Sequence, residues 1–450
     1  MKVCLVTGGG GYLGRSLARA LASRGHIVRV FDVAFPQEPP SGVEAIVGDI
    51  RNEAEVAAAC ENVDTVFHCA ALINTVTLAR ASVRKQVFDV NVGGTQNVIA
   101  ACQMHNVPRL VFTSSISVVV DRDPVPAVDE SAPYASTEPM DLYTATKLEA
   151  ERIVLAANSP TLSTCALRPG GIYGPGEGHH FPRIVREVLG GRFVATVGRG
   201  LAKADNVYID DLIDVHLRAA ERLEPASPVA GKAYQVGDGN PISYFEFFRP
   251  VVEHLGYRFP RFWVPAGLMM VVSFFAELFH FLGGPFPFMT RMEVRKLNID
   301  NYSSIDAAKD DLGWVPEVDP REGMRRSMSW VDELAAMLPR VRRPHLGWWL
   351  AIGVGLGLTF ALALSDSAWG VWTDLVGTFL PRIVIQGIAI GAAILHVGEG
   401  AYAYVRARAA GLPTAGGWGF QTLLLGYPSL RLLLAEVRDA HPTLEPTETT

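Results

Sequence analysis

The sequence predicts an α/β protein with a doubly wound parallel sheet and a smaller second lobe, followed by transmembrane helices at the C-terminal end. Three observations support this prediction. Short apolar runs alternate with amphipathic runs through the first 340 residues, which is the pattern of a parallel sheet with helices on both faces. A glycine-rich turn follows the first of these runs. From residue 347 onward, two long stretches are apolar enough to cross a bilayer.

Strand and helix patterns follow one another from the first residues. KVCLVT is a short apolar run typical of a buried parallel strand, and YLGRSLARALASRGH has leucines at helical spacing. IVRVFDV is strand-like again, which completes a βαβ unit. The alternation continues through VDTVFHCAA, NVGGTQNVIAACQMHN, RLVFTSSISVV, YTATKLEAERIVLAAN and LSTCALRPGGIYG. We therefore expect ligands to bind at the C-terminal ends of the strands.

Changes in composition predict the domain boundaries. We expect a sheet core over about 1–170, a second lobe over 171–335, a basic linker over 336–346, a membrane domain over 347–435 and a disordered tail over 436–450. Two stretches of the membrane domain qualify as spans. A third, WGFQTLLLGYPSLRLLL, is shorter and broken by Gly and Pro, so it either lies in the interface or packs against the other two.

Composition argues against several classes of protein. A net charge of −6 without a basic block argues against nucleic acid as the main partner. The five cysteines are scattered over the first half of the chain, which predicts reduced thiols in a cytosolic domain rather than disulfides or a zinc site. The start MKVCLV runs into the glycine turn without the apolar segment of a signal peptide.

Two polar clusters resemble metal sites, and we expect neither to be one. His179 and His180 are adjacent, so their rings should point apart in a loop near the substrate. Asp210, Asp211 and Asp214 fall in VYIDDLIDVHLRAA, where the dipole of a helix would stabilise acids at its start. We therefore predict no metal.

Glycines at three-residue spacing separate the first strand from the first helix. Gly8 permits a tight turn, Gly11 lets the backbone approach a pyrophosphate, and Gly14 lets the helix pack on the strand. The N–H groups of Tyr12 and Leu13 begin the helix, where phosphates bind. This turn predicts a dinucleotide-binding, Rossmann-type core.

Asp32 ends the second strand, where a carboxylate can accept hydrogen bonds from the ribose of an adenosine. The same carboxylate would repel a 2′-phosphate, and no Arg or Lys follows it in VAFPQE to offset the repulsion. We therefore predict NAD rather than NADP as the cofactor. The alternative is that Asp32 only caps the strand.

The segment YTATK places Tyr143 and Lys147 four residues apart, on one face of a predicted helix. A phenol has a pKa near 10, and a nearby cation favours the phenolate, which makes the pair suitable for acid–base chemistry. TSSIS ends the strand expected beside the nicotinamide, and a hydroxyl there would orient a substrate alcohol. Ser114 and Ser115 are both candidates, and the spacing to the following ISV favours Ser115.

These segments are similar to the extended short-chain dehydrogenase/reductase family, in particular to its 3β-hydroxysteroid dehydrogenase branch, which includes the sterol-4α-carboxylate 3-dehydrogenases. The resemblance covers roughly residues 1–335. It is carried by TGGGGYLG, VGDIR, VFHCAA, NVGGTQNVI, TSSISVV, YTATK, LRPGGIYGPGE, NVYIDDLIDVHLRAA, GKAYQVGDG and LGWVPEVDPREGM, in the order of the family.

The resemblance implies roles for individual residues. Tyr143 becomes the acid/base, Lys147 the group that lowers its pKa, and Ser115 the hydroxyl that orients the substrate. The other implied contacts are adenine with Asp49 and Ile50, the dinucleotide path with Ala70, the catalytic lysine with Asn91, and the nicotinamide carboxamide with Pro169.

The predicted activity is NAD-dependent oxidation of a 3β-hydroxyl on a steroid or sterol to the 3-ketone. A carboxylate one carbon away would give a β-keto acid that loses CO2 without another catalytic group, and no pattern identifies an acid for Δ5 isomerisation. The alternatives are a reductase of a long-chain 2-alkyl-3-oxo acid or another apolar ketone, a nucleotide-sugar epimerase, and a non-catalytic NAD-sensing membrane scaffold. The intact Ser115, Tyr143 and Lys147 set argues against the scaffold.

An apolar stretch at residues 264–289, VPAGLMMVVSFFAELFHFLGGPFPFM, is either a core helix of the second lobe or a surface that enters lipid. The second interpretation favours a lipid-like substrate over a sugar nucleotide and makes the bilayer a partner. Homodimerisation stays open.

Charges around the two spans predict the topology of the membrane domain. The acidic loop DSAWGVWTD separates them, which places the catalytic domain in the cytoplasm by the positive-inside rule. The bases that set this bias are Arg340, Arg342 and Arg343 before the first span and Arg406 and Arg408 after the second. Polar side chains near membrane depth are expected to be paired within the domain; these are His396, Glu399 and Gln421.

Overall fold

The structure is a computed structural model that describes residues 1–120, 125–136, 141–190, 193–284, 286–338, 343–376, 380–412 and 414–440. It contains two compact units. The first comprises Met1–His180, Ala195–Pro250 and Arg261–Ser329. The second comprises Phe181–Val194, Val251–Pro260 and Trp330–Thr450.

The strands, in chain order, are β1 Val3–Thr7, β2 Ile27–Asp32, β3 Val43–Val47, β4 Thr65–His68, β5 Arg109–Thr113, β6 Val125–Val128, β7 Ser163–Pro169, β8 Gly171–Tyr173, β9 Thr196–Val197, β10 Lys203–Ala204, β11 Asn206–Tyr208, β12 Ala233–Val236, β13 Ile242–Ser243, β14 Trp263–Val264 and β15 Asn301–Ser303.

The helices are α1 Tyr12–Ser23, α2 Glu53–Ala59, α3 Ala81–Phe88, α4 Gly94–Met104, α5 Leu142–Ala156, α6 His180–Leu189, α7 Ile209–Arg222, α8 Tyr244–His254, α9 Ala266–Phe281, α10 Arg291–Lys296, α11 Asp306–Leu312, α12 Pro320–Arg326, α13 Met328–Met337, α14 Leu346–Leu364, α15 Asp366–Val376, α16 Arg382–Ala409, α17 Ala415–Leu425 and α18 Tyr427–Ala440. A π-helical turn at Asp89–Gly93 joins α3 to α4, and a 3₁₀ turn covers Ile116–Val118.

A seven-stranded parallel sheet forms the core of the first unit, in the order β12-β7-β5-β4-β1-β2-β3. This confirms the predicted Rossmann-type fold. All seven residues of β7 are buried, as expected for a central strand of a parallel sheet that is covered on both faces. The strand order changes direction between β1 and β4, the point at which open α/β sheets bind their ligands.

The first unit also contains smaller sheets, and the largest of those described has four strands in the order β13-β10-β15-β6. The acids of VYIDDLIDVHLRAA stabilise this region. The Asp211 carboxylate, in the first turn of α7, accepts hydrogen bonds from the backbone N–H groups of Glu317 and Val318 at 2.9 and 3.1 Å. Asp214 forms an ion pair with Arg218 at 2.6 Å.

The expectation that the rings of His179 and His180 point apart is wrong. Their centroids are 5.0 Å apart in an edge-to-face arrangement. The Glu177 carboxylate accepts hydrogen bonds from both backbone N–H groups at 2.5 and 2.8 Å, which draws the segment into a turn that begins α6. Within the described residues, no group of three or more His, Cys, Asp and Glu side chains is arranged to hold a metal ion.

The second unit contains the two helices predicted as membrane spans. By length and composition, α14 and α16 are apolar and long enough to cross a membrane. In the most apolar part of each helix only 11% of α14 and 17% of α16 is buried, whereas a core helix of a soluble protein would be mostly buried. The prediction of two candidate spans after residue 346 therefore agrees with the structure.

Two expectations for this region are wrong. DSAWGVWTD is the helix α15 rather than a loop, because the Ser365 hydroxyl accepts the Ala368 N–H at 3.2 Å and Trp369 and Trp372 pack against a cluster around Leu362. The chain is also not disordered from residue 436, because α18 continues to Ala440. The rest of the predicted tail lies outside the described residues.

The third apolar segment is a pair of helices. α17 packs closely on α16, since a Cβ atom on Gly400 would lie 3.1 Å from the Gly419 carbonyl oxygen. Gly426, with φ +61°, separates α17 from α18. The polar side chains expected at membrane depth are held locally: His396 Nδ1 hydrogen-bonds the Leu423 carbonyl at 2.9 Å, Gln421 Nε2 donates to Ser429 Oγ at 3.1 Å, and Glu399 lies against Gly426.

Candidate active site

The glycine turn between β1 and α1 is packed so tightly that it requires glycine. Gly8 has φ +72°, and a Cβ there would lie 2.7 Å from the Ala70 nitrogen. A Cβ on Gly14 would lie 2.2 Å from the Gly8 carbonyl oxygen, so α1 can approach β1 only without a side chain. The Gly11 N–H donates to the Gly8 carbonyl at 3.0 Å.

The start of α1 is open to an anion. No side chain caps this helix and no acid lies in its first turn, so its N–H groups and its dipole remain available to phosphates. Tyr12 and Leu13 would contribute through the backbone. The Leu13 side chain is buried, and the Tyr12 hydroxyl is directed to Gly174, where a Cβ would lie 2.7 Å from it. The turn therefore fits a dinucleotide pyrophosphate.

Asp32 lies across the same turn. Its Oδ2 accepts the Gly10 N–H at 3.0 Å, and its Oδ1 accepts the Val33 N–H at 2.7 Å. These two bonds orient the carboxylate at the end of β2 and leave lone pairs on both oxygens for a ribose hydroxyl. Asp32 thus does cap the strand, and this capping is compatible with binding a ribose.

The residues implied at the adenine end occupy different environments. Asp49 is bound by the Arg51 guanidinium at 2.5 Å, and this hydrogen bond lowers the pKa of the Asp49 carboxyl. Ile50 is buried beside Gly94, where a Cβ would lie 2.7 Å from its Cγ2 atom. The Asn97 side chain donates to the Ile50 carbonyl at 3.0 Å, which fixes this segment to α4.

Tyr143 lies in the first turn of α5, at the C-terminal end of the sheet. Asp141 caps this helix by accepting the Thr144 N–H at 2.9 Å, and the Tyr143 N–H donates to the Asn74 carbonyl at 3.0 Å. Burial raises the pKa of Tyr143 to about 12, while a hydrogen bond with Ser115 acts in the opposite direction.

The two serines after β5 have different surroundings. Ser115 Oγ accepts hydrogen bonds from the Ser117 N–H at 3.2 Å and from the Ser117 hydroxyl at 3.0 Å, so its own proton remains free for Tyr143. Ser114 Oγ is buried and has no hydrogen-bond partner among the described residues. The structure brings Ser115, and not Ser114, together with Tyr143.

Lys147 is buried one turn after Tyr143. Its ammonium donates to the Thr113 carbonyl at 2.5 Å and lies 4.0 Å from the centroid of the Phe112 ring. Burial lowers the pKa of Lys147 to about 7. The influences on the Tyr143 pKa are burial, Ser115 and Asp141, so this arrangement does not show the lowering by Lys147 that the spacing predicts.

Asn91 supports α5 from the π-helical turn before α4. Its Nδ2 donates to Thr146 Oγ1 at 2.8 Å and to the Leu72 carbonyl at 3.0 Å, and its Oδ1 accepts the Leu72 N–H at 2.7 Å. Asn91 therefore holds the residue before Lys147. π-helical turns are frequent at functional sites, and the extra residue here directs the amide into the site.

His68 is a site residue that the sequence analysis missed. Thr95 donates its only hydroxyl proton to the Asn91 carbonyl at 2.6 Å, so His68 Nε2 must donate to Thr95 Oγ1 at 2.9 Å. Thr7 then donates to His68 Nδ1 at 2.7 Å. Burial lowers the pKa of His68 to about 3, which keeps the ring neutral. Through Thr7 and Thr95, His68 thus links the start of the glycine turn to Asn91. The sequence feature that could have identified His68 is its position at the end of the strand in VFHCAA.

A buried ion pair, also missed, joins α5 to β7. Glu151 and Arg168 are 2.6 Å apart and almost fully buried. Glu151 follows Lys147 by one turn, and Arg168 precedes Pro169, the buried residue at the end of β7. The pair therefore fixes α5, which carries Tyr143 and Lys147, against the strand expected beside the nicotinamide.

Residues 5–266 match the 3-beta hydroxysteroid dehydrogenase/isomerase family. The chain belongs to this family. It is 40% identical over 329 residues to short-chain dehydrogenase/reductase family 42E member 1 of Danio rerio, covering 70% of this chain and 84% of that protein. It is 41% identical over 319 residues to the 3 beta-hydroxysteroid dehydrogenase/Delta 5-->4-isomerase of Mycobacterium tuberculosis, covering 69% and 85% of the two chains.

Solved structures share the fold of the first unit. The crystal structure of gox2253 has a TM-score of 0.60 and 26% identity, covering 74% of this chain and 98% of that one. MoeE5 in complex with UDP-glucuronic acid and NAD has a TM-score of 0.57 and 24% identity, covering 73% and 99%, and shows the fold alone. The 3β-hydroxysteroid dehydrogenase-type chain is accordingly an NAD(P)-dependent oxidoreductase.

The C-terminal part has a separate match. Residues 347–435 match the family described as Transmembrane protein 254. Together with the length and composition of α14 and α16, this match indicates that the dehydrogenase domain carries a membrane-associated extension.

Proposed function

We propose that the chain oxidises a 3β-hydroxyl of a steroid or sterol to the 3-ketone with NAD, and that Ser115, Tyr143 and Lys147 are the catalytic residues. The hydrogen bonding of Ser115 carries the proposal. Its oxygen accepts two bonds from Ser117, so its proton is available to Tyr143 at the end of β5. The family and the name of the mycobacterial relative support a 3β-hydroxysteroid as substrate.

In this proposal the side chains orient the alcohol and accept its proton. Ser115 and Tyr143 bind the substrate hydroxyl, and the Tyr143 oxygen is the proton acceptor. Burial raises the pKa of Tyr143 to about 12. For the phenolate to form readily at neutral pH, that pKa must fall to near 7, which requires about 7 kcal/mol of stabilisation of the phenolate. Lys147 supplies one positive charge from a flexible stem on the same helix face. NAD, when bound, supplies a second positive charge and the hydride acceptor.

The experiment that tests the proposal is NAD reduction by purified full-length protein in lipid nanodiscs. The substrates compared are a 3β-hydroxysteroid, a 4-carboxysterol, a β-hydroxy fatty acid and UDP-glucuronic acid. We expect turnover of the first two, with CO2 released only from the carboxysterol. Turnover of the fatty acid alone, or of the sugar nucleotide, would replace the steroid by another substrate class.

Asp32 should set the choice between NAD and NADP. Asp32→Ala should raise the KM for NAD about tenfold or more, because the loss of a hydrogen bond to a charged group costs about 1.5–3 kcal/mol. The KM for NADP should fall, since the repulsion of a 2′-phosphate is removed. Steady-state kinetics with both cofactors measure the ratio of the two KM values. Glu44→Ala, at an exposed site on the neighbouring strand, is the matched control. An unchanged ratio in Asp32→Ala would refute the role.

The outer face of α9 should contact lipid, which would let an apolar substrate enter without crossing water. The helix has its polar residues inside: Ser273 and Glu277 are fully buried, whereas Phe275 and Phe279 are 60% and 61% exposed. Soluble helices have the opposite arrangement, and polar groups of membrane proteins face the protein interior. Leu268 and Val271 are also exposed on α9, and exposed apolar residues continue before and after the helix at Phe262, Trp263, Leu282, Phe286 and Phe288.

A fluorescent label on α9 should detect this contact. With bimane attached at Phe275→Cys in full-length protein, we expect strong quenching when the nanodisc phospholipids carry bromine on their acyl chains. A label at Ser227→Cys, in a polar turn of the same unit, serves as the control and should not be quenched. Equal quenching at the two sites, or none at 275, would show that α9 does not enter lipid.

We further propose that α14 and α16 span the membrane and leave the catalytic domain in the cytoplasm. Arg343 precedes α14, and Arg406 and Arg408 lie in the last turn of α16. The bases therefore lie at the N-terminal end of the first span and the C-terminal end of the second, the ends that the positive-inside rule places in the cytoplasm. Arg340 and Arg342, which add to this bias, lie outside the described residues. A cysteine introduced at Ser367 in α15 should react with impermeant maleimide from outside intact cells, and reaction only after lysis would reverse the topology.

A further inference from the structure

Glu277 is a buried acidic residue on the largely apolar helix α9. Its Oε1 accepts the Arg291 N–H at 2.8 Å and the Thr77 hydroxyl at 3.4 Å, and its Oε2 accepts Arg291 Nε and Nη2 at 3.1 and 2.9 Å. The carboxylate is 0% exposed. A buried ion costs several kcal/mol in desolvation even when it is paired, and an apolar side chain would fill the same space at less cost. We therefore look for a role of this carboxylate beyond packing, in the hydrogen bonds that it accepts.

The partner of Glu277 on the sheet side belongs to the loop between β4 and α3, residues 69–80. This loop contacts α9 at two points. Thr77 donates to Glu277, and Arg80 Nε donates to the Phe281 carbonyl at the C-terminal end of α9 at 2.7 Å. α9 thus holds the C-terminal half of the loop.

The N-terminal half of the same loop holds the active site. Leu72 exchanges two backbone hydrogen bonds with the Asn91 side chain, and the Asn74 carbonyl accepts the N–H of Tyr143. Asn74 and Thr77 are only three residues apart, and the Asn74 side chain accepts the Val76 N–H at 3.2 Å, so the intervening turn is itself bonded. A short, hydrogen-bonded path therefore leads from Glu277 to the backbone of Tyr143.

We propose that Glu277 is a positioning residue of the dehydrogenase, which fixes the 69–80 loop on α9 so that the Asn74 carbonyl holds Tyr143 within reach of Ser115. The inference rests on the proposed function, because that function gives Tyr143 its role as proton acceptor. Since the outer face of α9 is the surface proposed to contact lipid, the placement of Tyr143 depends on a helix that a bilayer would support.

The first test is the kinetics of Glu277→Gln in full-length protein in nanodiscs. Glutamine has the same shape but lacks the charge that binds Arg291, so we expect kcat with a 3β-hydroxysteroid to fall about tenfold, while the dissociation constant for NAD stays unchanged. Arg291→Lys keeps the charge but loses the two-pronged bond, so its kcat should lie between those of Glu277→Gln and the native protein.

Glu293→Gln is the matched control. Glu293 lies two residues after Arg291, where it completes a capping box with Thr290 at the start of α10. Glutamine is equally able to complete this box, so the control should retain its native kcat. A native kcat in Glu277→Gln, or an equal loss in Glu293→Gln, would overturn the proposal.

The second test does not depend on turnover. Hydrogen exchange followed by mass spectrometry measures protection of the Tyr143 N–H, which bonds to Asn74. We expect faster exchange in peptides covering 69–80 and 141–148 of Glu277→Gln, with unchanged exchange in β7. Native exchange would refute the positioning role even if the steroid activity is confirmed, whereas faster exchange in a protein inactive on steroids would refute only the proposed substrate. Should Glu277→Gln fail to fold, Thr77→Val removes only the hydrogen bond between the loop and Glu277. It should lower kcat and speed exchange in the same peptides, but by smaller amounts.

Discussion

Replacing Tyr143 by Phe should lower kcat for a 3β-hydroxysteroid by about 10²–10⁴-fold, the range that general acid–base catalysis contributes. The phenylalanine ring keeps the shape and loses the proton acceptor. Its N–H still bonds to the Asn74 carbonyl, so the backbone of α5 should stay in place. The dissociation constant of NAD should therefore change less than about threefold, which nucleotide binding by fluorescence measures.

Tyr302→Phe is the matched control for this variant. Tyr302 lies on β15 in the smaller sheet, and it should tolerate the loss of its hydroxyl without a change in kcat. An active Tyr143→Phe protein would remove Tyr143 from the reaction. Loss of both activity and NAD binding would instead mean that the hydroxyl supports the cofactor site.

Replacing Lys147 by Met should abolish most activity and at the same time make the protein more stable. Burial lowers the pKa of Lys147 from 10.5 to about 7, a shift that corresponds to at most about 5 kcal/mol. Between the folded and the unfolded pKa the unfolded chain binds more protons, so native stability rises with pH there, and the penalty of the buried charge disappears above the unfolded pKa. Losing the bond to the Thr113 carbonyl takes back about 1–3 kcal/mol.

The thermal midpoint of Lys147→Met at neutral pH should accordingly exceed that of the native protein by several degrees, while kcat falls about 10²-fold or more. The difference in Tm should narrow as the pH rises from 7 towards 10.5 and level off above it, because the native lysine is then neutral in both the folded and the unfolded state. Lys203→Met, at an exposed site on β10, is the control and should change neither property. A less stable Lys147→Met, or a difference in Tm that grows with pH, would contradict the buried-charge account.

Local patterns predicted much of the fold. The turn at Gly8, Gly11 and Gly14 is recognisable because tight packing requires glycine at Gly8 and Gly14, as the contact of Gly14 with the Gly8 carbonyl shows. The parallel sheet follows from apolar runs that are buried on both faces, such as residues 4–6 of β1. YTATK formed the expected helix with Tyr143 in its first turn.

Contacts between distant residues were not predictable in this way. The π-helical turn that directs Asn91 towards Thr146 occupies the start of the segment that the sequence predicts as an ordinary helix. The spacing of Tyr143 and Lys147 could not show that the ammonium binds the Thr113 carbonyl, 34 residues away in the sequence. Glu277 stands among apolar residues, and only the folded chain brings Thr77 and Arg291 to its carboxylate.

The membrane domain shows the same limit. Length and hydropathy identified α14 and α16, because these properties are local. The loop expected between them is a helix, since Trp369 and Trp372 pack against side chains of both α14 and α16, and hydropathy alone does not indicate this packing. The break at Gly426 was visible as Gly and Pro, but the packing of α17 on α16 was left open.

The transfer of deuterium from a 3β-hydroxysteroid that carries it at C3 tests the central claim most directly. Full-length protein in nanodiscs is incubated with the labelled steroid and NAD, and the reduced cofactor is analysed by mass spectrometry. The account predicts that the NADH formed carries the deuterium, and that Tyr143→Phe forms almost none. NADH without the label, or label transfer that persists in Tyr143→Phe, would contradict the assignment of this site to oxidation of the 3β-hydroxyl.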